Sequence, residues 1–166
     1  MAKLARTIGI SRIGAEFGDS TQANIIYRVT TRPEGATKYP YLVVSHLDKG
    51  GNFGADLVQV RDPRFRDRQL RKKARSGLGI EVSTYPLRKM NSYAVAKWFS
   101  DVKELYSFCK SSGCQLVLVS EATSIYEMIS GACFDSILKN CSIDPKRYWQ
   151  ELQSWLDLKL QNRVYL

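Results

Sequence analysis

The sequence predicts an α/β fold with a mostly parallel sheet and two closing helices. Short apolar runs alternate with helical patterns along the chain, which is typical of parallel strands joined by crossover helices. The chain has 166 residues, whereas a complete eight-stranded α/β barrel needs about 200–250. We therefore predict a single domain over residues 1–166, in which any barrel must be short or incomplete.

Six segments have the composition of strands, because they are short, rich in β-branched and aromatic residues, and bounded by turn residues. The predicted strands cover residues 12–17, 24–30, 41–46, 55–60, 79–84 and 115–120. Turn residues at 32–35 and at 48–52 separate the second, third and fourth of them. Such alternation places the loops that follow the strands along one edge of the sheet.

Helical periodicity occupies much of the remaining chain. The predicted helices cover residues 2–9, 65–75, 92–111 and 131–140, and a last helix begins at 145. In the longest of them, apolar residues recur every three or four positions, which indicates one buried face. Gly113 is expected to end that helix, and Asp144 followed by Pro145 is a strong start signal for the last one.

Composition excludes several classes of protein. A hydrophobic content of 44% is too high for a disordered tail. No run of about 18 apolar residues is present, so the sequence predicts no membrane-spanning helix. Residues 1–6 lack an apolar stretch with a cleavage site. We expect a cytoplasmic protein that does not bind membranes.

The positive charge is concentrated in one segment. The chain carries a formal net charge of +9. Residues 61–97 hold eleven basic and three acidic side chains, a net charge of +8, and the other 129 residues together carry +1. A nearly neutral domain with one cationic segment is the pattern expected of a local polyanion contact.

Within that segment, residues 61–75 are the strongest functional signal. Eight of these fifteen residues are basic, most of them arginine, whose guanidinium suits forked phosphate contacts. Contact with a nucleic-acid backbone is the favoured interpretation, and a solvated helix face is the alternative. We predict RNA contacts from Arg61, Arg64, Arg66, Arg68, Arg71, Lys72, Lys73 and Arg75, supported by Arg88 and Lys89.

Aromatic residues are interleaved with cations just beyond this stretch. Tyr85 and Tyr93 alternate with Arg88, Lys89 and Lys97. Bases of single-stranded RNA stack on such rings. The alternative is that Tyr93 packs against the helix that follows it.

Cysteine and histidine usage limits the possible chemistry. The cysteines Cys109, Cys114, Cys133 and Cys141 lack the paired C-x2-C spacing of zinc sites. We predict buried, reduced thiols, a metal or disulfide role being the alternative. The only histidine, His46, ends a predicted strand, where either a structural or a catalytic role is possible. No catalytic residue and no metal site is predicted.

Two weaker patterns lie in the loops. The stretch 49–54 is rich in glycine and is expected to be a plain turn, since it lacks the spacing of a phosphate-binding loop. Carboxylates lie near the predicted strand ends, where they could bind Mg²⁺ or perform acid–base catalysis. They are Asp48, Asp62, Glu81 and Glu121.

The order of these segments resembles the ribonuclease P protein component 3 family, the barrel-type subunit of the archaeal and eukaryotic enzyme. The matching blocks are 55–63 (ADLVQVRDP) with the basic helix after it, 79–87 (GIEVSTYPL), 120–127 (SEATSIYE) and the two closing helices at 131–160. Departures occur at residues 119–122 and 128–131, and Tyr85 stands where the family has arginine.

The resemblance implies a TIM-barrel-like fold related to the PHP phosphoesterases but without their metal histidines. It also implies a role in ribonuclease P, where RNA catalyses removal of 5′ leaders from precursor tRNA. The implied partners are the ribonuclease P RNA, precursor tRNA and ribonuclease P protein component 2, in a two-plus-two heterotetramer. The protein itself would bind no cofactor, and Mg²⁺ would be held by the RNA.

Two other interpretations remain open. The chain could be a stand-alone barrel enzyme that acts on a phosphorylated small molecule or nucleotide through Glu121 and Asp62. It could also be a scaffold whose basic segment docks an acidic protein.

Overall fold

The structure is a computed structural model that describes residues 27–29, 32, 41–46, 54–63, 68–122, 127 and 129–161. The helix predicted at 2–9 and the strand predicted at 12–17 lie outside these residues. Most of the two turns predicted at 32–35 and 48–52 lies outside them as well. The architecture below is therefore that of the described part of the chain.

A parallel sheet forms the centre of the molecule. Its strands are β1 (Tyr27–Val29), β2 (Tyr41–His46), β3 (Leu57–Val60), β4 (Gly79–Ser83) and β5 (Gln115–Val119). They lie side by side in the order of the chain, and every neighbouring pair is parallel. The predicted α/β class is confirmed, and this strand order is compatible with part of an α/β barrel.

In the described part of the chain, four α-helices and a 3-10 helix connect and follow the strands. The α-helices are α1 (Arg68–Lys73), α2 (Ser92–Ser112), α3 (Gly131–Asn140) and α4 (Pro145–Gln161), and the 3-10 helix is Tyr85–Lys89. The bounds of α3 are those predicted, and α2 ends within one residue of its prediction. No helix in this part of the chain combines the length and apolar content that crossing a bilayer requires.

Local signals at the helix ends account for this agreement. Gly113 adopts a left-handed φ of 67° and its N–H bonds the carbonyl of Cys109, which ends α2 as predicted. The Asp144 carboxylate accepts from the backbone N–H of Arg147 at 2.7 Å and caps α4. These short-range bonds form within one turn of chain, so the sequence pattern alone identifies them.

Two differences arise where the chain turns after a strand or helix. The helix predicted to reach residue 75 ends at Lys73, and Arg75 instead accepts from Leu78 N–H in a turn at 3.0 Å. After β4, the 3-10 helix occupies a segment for which the sequence predicted only a stop. Its Pro86 has a fixed φ that suits a tight helical turn, and Tyr85 N–H bonds the Ser83 hydroxyl at 3.0 Å.

Strands β4 and β5 form the core of the sheet, since all ten of their residues are buried. Their apolar runs pack on both faces, as is usual for a parallel sheet covered on both sides. The buried side of α2 contributes Trp98, Val102 and Leu105 to the same core.

Helix α4 packs against the sheet through two aromatic side chains. The Tyr148 hydroxyl accepts the N–H of Leu118 at 2.9 Å, on β5. The Trp155 indole N–H donates to the carbonyl of Gly77 at 2.9 Å, just before β4 begins. Farther along, Lys159 approaches Asp56 at 3.8 Å, before the start of β3. Helix α4 thus runs from β5 to the amino-terminal ends of β3 and β4.

An ionic contact joins α2 to α4. The Glu151 carboxylate accepts from Lys110 at 2.6 Å, from Arg147 at 2.8 Å and from the Tyr106 hydroxyl at 3.2 Å. Burial acts to raise the pKa of Glu151, but the bonds from Lys110 and Arg147 outweigh it and hold this pKa below its usual range. Burial, together with Glu151, raises the pKa of Tyr106 to about 12. The group is therefore a carboxylate bonded to a neutral phenol at neutral pH.

The first prediction concerns Gly79, where a side chain has no room. A Cβ at this position would lie 2.5 Å from Leu57 Cδ2 and 2.7 Å from Trp155 Cζ2. We expect Gly79→Ala to lower the free energy of unfolding by about 1–3 kcal/mol through overpacking, measured by urea denaturation. The control is Gly131→Ala in the first turn of α3, which should leave stability equal or slightly higher. Equal values for both variants would contradict the close packing of α4 on β4.

Candidate nucleic-acid interface

The loops after β3, β4 and β5 meet at one edge of the sheet, which we call the carboxyl edge. Since the strands are parallel and in register, Val60, Val82 and Leu118 lie level with one another near this edge. Thr84 joins two of the strand ends, because both its N–H (2.8 Å) and its hydroxyl (3.2 Å) donate to the carbonyl of Val119. Side chains carried by these loops therefore share one surface.

Three of the predicted RNA contacts lie at the carboxyl edge. Arg61 is exposed and directly follows β3. Arg88 and Lys89 are exposed at the end of the 3-10 helix that follows β4. Asp62 is also exposed here, beside Arg61.

The ring of Tyr85 lies beneath two of these cations. The Arg88 guanidinium is 5.3 Å and the Lys89 ammonium 5.7 Å from the ring centre, both within cation–π range. Arg88 also donates through Nη2 to the backbone carbonyl of Glu127, beyond β5. These contacts hold Arg88 in a defined position above the carboxyl edge while both cations remain exposed.

A second group of predicted contacts lies away from the carboxyl edge. Arg71 and Lys72 are exposed on α1, and Arg75 is exposed in the turn before β4. The carbonyl of Arg75 accepts from the thiol of Cys114, at the start of β5, at 3.3 Å. Arg75 therefore lies at the amino-terminal edge of the sheet. Residues that form one cluster in the sequence are spread from one edge of the sheet to the other.

The remaining predicted contacts cannot be placed in this way. Arg64 and Arg66 lie outside the described residues. Arg68 and Lys73 lie in α1, of which only the backbone is described at these positions.

An open groove of about 810 Å³ lies between α1 and α2. Arg71 lines one side, and the side chains of Ser100, Lys103, Glu104, Ser107, Phe108 and Ser111 line the other. The groove thus has a cation on each side, Arg71 on α1 and Lys103 on α2. It was not predicted, because it depends on how two helices separated by 18 residues of chain are placed side by side.

A row of polar side chains crosses the sheet near the carboxyl edge. Pairing in register places His46 of β2 beside Gln59 of β3, and Gln59 beside Glu81 of β4. Neighbours in register project from the same face of a parallel sheet. His46 and Gln59 are half-buried, and Glu81 is fully buried. Glu81 was predicted to lie near a strand end, but it occupies the middle of β4.

Glu121 joins this row from the loop after β5. Its carboxylate accepts a hydrogen bond from the side-chain amide of Gln59. Its backbone has a φ of 48°, in the left-handed region that residues other than glycine seldom adopt. Strain of this kind persists where surrounding contacts enforce it, and it is common at functional sites.

The polar row does not form a metal centre with the residues described. No group of three or more histidine, cysteine or acidic side chains in this part of the chain is close enough to hold an ion. Asp48, which the sequence placed among the candidate carboxylates, and most of the glycine-rich stretch 49–54 lie outside it.

The cysteine prediction is correct for three residues and wrong for one. Cys109, Cys114 and Cys141 are buried free thiols, whereas Cys133 is exposed. Cys133 lies in the first turn of α3, while the buried side of that helix is formed by Phe134, Ile137 and Leu138. Burial raises the pKa of Cys141 to about 12 and that of Cys109 well above its usual range. These two thiols are accordingly unreactive.

The sequence matches none of the protein-family models with which it was compared and none of the curated proteins searched.

The second prediction separates the backbone strain at Glu121 from its hydrogen bond. Glu121→Ala and Glu121→Gly both remove the bond to Gln59, but only glycine adopts a φ of 48° without strain. We expect the glycine variant to be more stable than the alanine variant by about 1 kcal/mol, measured as the difference in free energy of unfolding. Stability that is equal in the two variants would show that the left-handed conformation is not enforced.

Proposed function

We propose that this chain binds RNA as a protein subunit of ribonuclease P. The observation that carries the proposal is the confinement of a net charge of +8 to residues 61–97, while the other 129 residues carry +1. Charge this localised is better explained by a surface that binds a polyanion than by a general requirement for solubility.

The placement of the cations supports contact with a nucleic-acid backbone. Arg61, Arg71, Lys72, Arg75, Arg88 and Lys89 are all exposed, and they run along one connected part of the chain. Exposed arginines can bind phosphate through two parallel N–H bonds and need no base-specific contact.

The finer part of the proposal rests on the resemblance in the order of segments. A parallel sheet whose strands follow chain order, closed by two helices, is compatible with a short TIM-barrel-like subunit of the PHP type. In this role the RNA and its Mg²⁺ ions cleave the 5′ leader of precursor tRNA. The protein cations reduce repulsion between phosphates and so favour the active shape of the RNA. Component 2 of the enzyme would be the protein partner, in a two-plus-two assembly.

The third prediction tests whether the position of the charge matters, and not only its amount. We expect Lys72→Ala combined with Arg75→Ala to weaken binding of precursor tRNA several-fold. It should also lower the slope of log affinity against log salt by about two, one unit for each phosphate contact. The measurement is fluorescence anisotropy over a series of salt concentrations.

The matched control removes the same charge from α3 and α4. Lys139→Ala combined with Lys146→Ala takes away two exposed cations outside the segment 61–97. We expect this variant to keep the wild-type salt slope. Equal losses in both double variants would contradict a localised interface.

For the finer proposal, tagged protein recovered from native extract should carry the ribonuclease P RNA, and its absence would rule out that assembly.

A stand-alone barrel enzyme acting on a phosphorylated small molecule or nucleotide is the second candidate function. The strained backbone of Glu121 and its bond to Gln59, beside the buried Glu81, are the observations that favour it. Polar groups near the carboxyl ends of parallel strands are the usual place for catalysis in α/β folds.

The fourth prediction belongs to this alternative. Protein alone, without RNA, should hydrolyse para-nitrophenyl phosphate or nucleotides when divalent metal is added. Glu121→Gln should then lower the rate by about 100-fold, the usual size of a lost acid–base contribution. Asp62→Asn tests the other proposed residue, and Asp157→Asn on α4 is the control. A rate no higher than that of buffer would reject the alternative while leaving RNA binding intact.

A further inference from the structure

The inference begins with Tyr93, which is unusually exposed for a residue of its size. Its side chain is 79% exposed, and only Leu158 is comparable among the large apolar residues described. The possibility that Tyr93 packs against its own helix is therefore wrong. No aromatic ring or cation in the described part of the chain is placed against it. The phenol ring at this position is therefore accessible to a ligand.

Cations flank the ring on both sides in the chain. Lys97 is exposed one helical turn farther along α2, about 6 Å along the axis. Lys89 and Arg88 precede Tyr93 at the end of the 3-10 helix, where Tyr85 lies beneath them. The two tyrosines thus differ in role, since Tyr85 positions cations and Tyr93 presents an open ring.

The neighbourhood in sequence has no negative charge to oppose an anionic ligand. No acidic residue occurs between 82 and 100, and Glu81 before that interval is fully buried. Leu158, the other large exposed side chain, does have negative charge nearby, because Asp157 adjoins it and Glu151 lies on the same helix. Among the described residues, Tyr93 is the highly exposed large side chain that coincides with localised positive charge.

We propose that Tyr93, with Lys89 and Lys97, forms a stacking site for an unpaired nucleobase of single-stranded RNA. A base can stack on the open phenol ring while the two ammonium groups contact the adjacent phosphates. A base inside a duplex cannot use the ring, because it is already stacked on its neighbours on both sides. This inference rests on the proposed RNA-binding function and adds to it a preference for single strands.

The test compares two RNA probes of equal length. One is fluorescein-labelled oligouridine of about twelve nucleotides and the other a blunt RNA duplex, each titrated with the full chain at the same salt concentration. We expect Tyr93→Ala to weaken oligouridine binding about tenfold, the size of one lost base stack. Binding of the duplex and both salt slopes should not change, since no charge is removed.

Three further variants make the result specific. Tyr93→Phe keeps the ring and should bind oligouridine within about twofold of wild type. Lys97→Ala should lower the oligouridine salt slope by about 0.7. Leu158→Ala, which removes the other large exposed side chain, should change neither affinity. Circular dichroism should confirm that the variants fold, which the exposure of Tyr93 leads us to expect.

Each other outcome overturns the inference in a recognisable way. If wild type binds both probes and Tyr93→Ala binds them equally well, the stacking site is rejected while the proposed RNA-binding function stands. If wild type binds neither probe at low salt, both are rejected. If a poly-glutamate peptide displaces oligouridine and binds with the same dependence on Tyr93, the surface belongs to an acidic protein partner instead.

Discussion

Burial of strands β4 and β5 on both faces is the constraint on which the rest of the structure depends. A parallel sheet of apolar strands is stable in water only when other elements cover its two sides. Helix α2 supplies apolar side chains to that core along one continuous face. Helix α4 supplies Tyr148 and Trp155, whose polar atoms also satisfy backbone groups at and beside the strands. Coverage and hydrogen bonding are therefore provided by the same residues.

The position of α4 determines which part of the sheet remains accessible. Trp155 and Lys159 lie against the amino-terminal ends of β4 and β3, at Gly77 and Asp56. The opposite edge carries the segments that follow β3, β4 and β5. It is there that Arg88 and Lys89 stay exposed and that Glu121 meets Gln59. Helix α4 therefore covers the amino-terminal end of the sheet and not the carboxyl edge.

The cationic segment has two kinds of residue once it is folded. At the carboxyl edge, Arg88 is held by the Tyr85 ring and by the carbonyl of Glu127, so its direction is defined. Along α1, Lys72 is exposed and acts mainly as a point charge. Contact with a phosphate backbone needs only point charges such as Lys72, whereas selection among RNA shapes would need side chains of defined direction such as Arg88.

What the sequence determined by itself was local. The bounds of β2 and α3, the end of α2 at Gly113 and the start of α4 after Asp144 all follow from apolar periodicity and capping within a few residues. The concentration of charge in 61–97 is likewise a property of sequence alone. Only the tertiary structure decided that Glu121 bonds Gln59, 62 residues away, that Glu81 lies inside the sheet and that Arg75 is at the opposite edge from Arg88. Those outcomes depend on strand order and register, which long-range packing selects and no local pattern records.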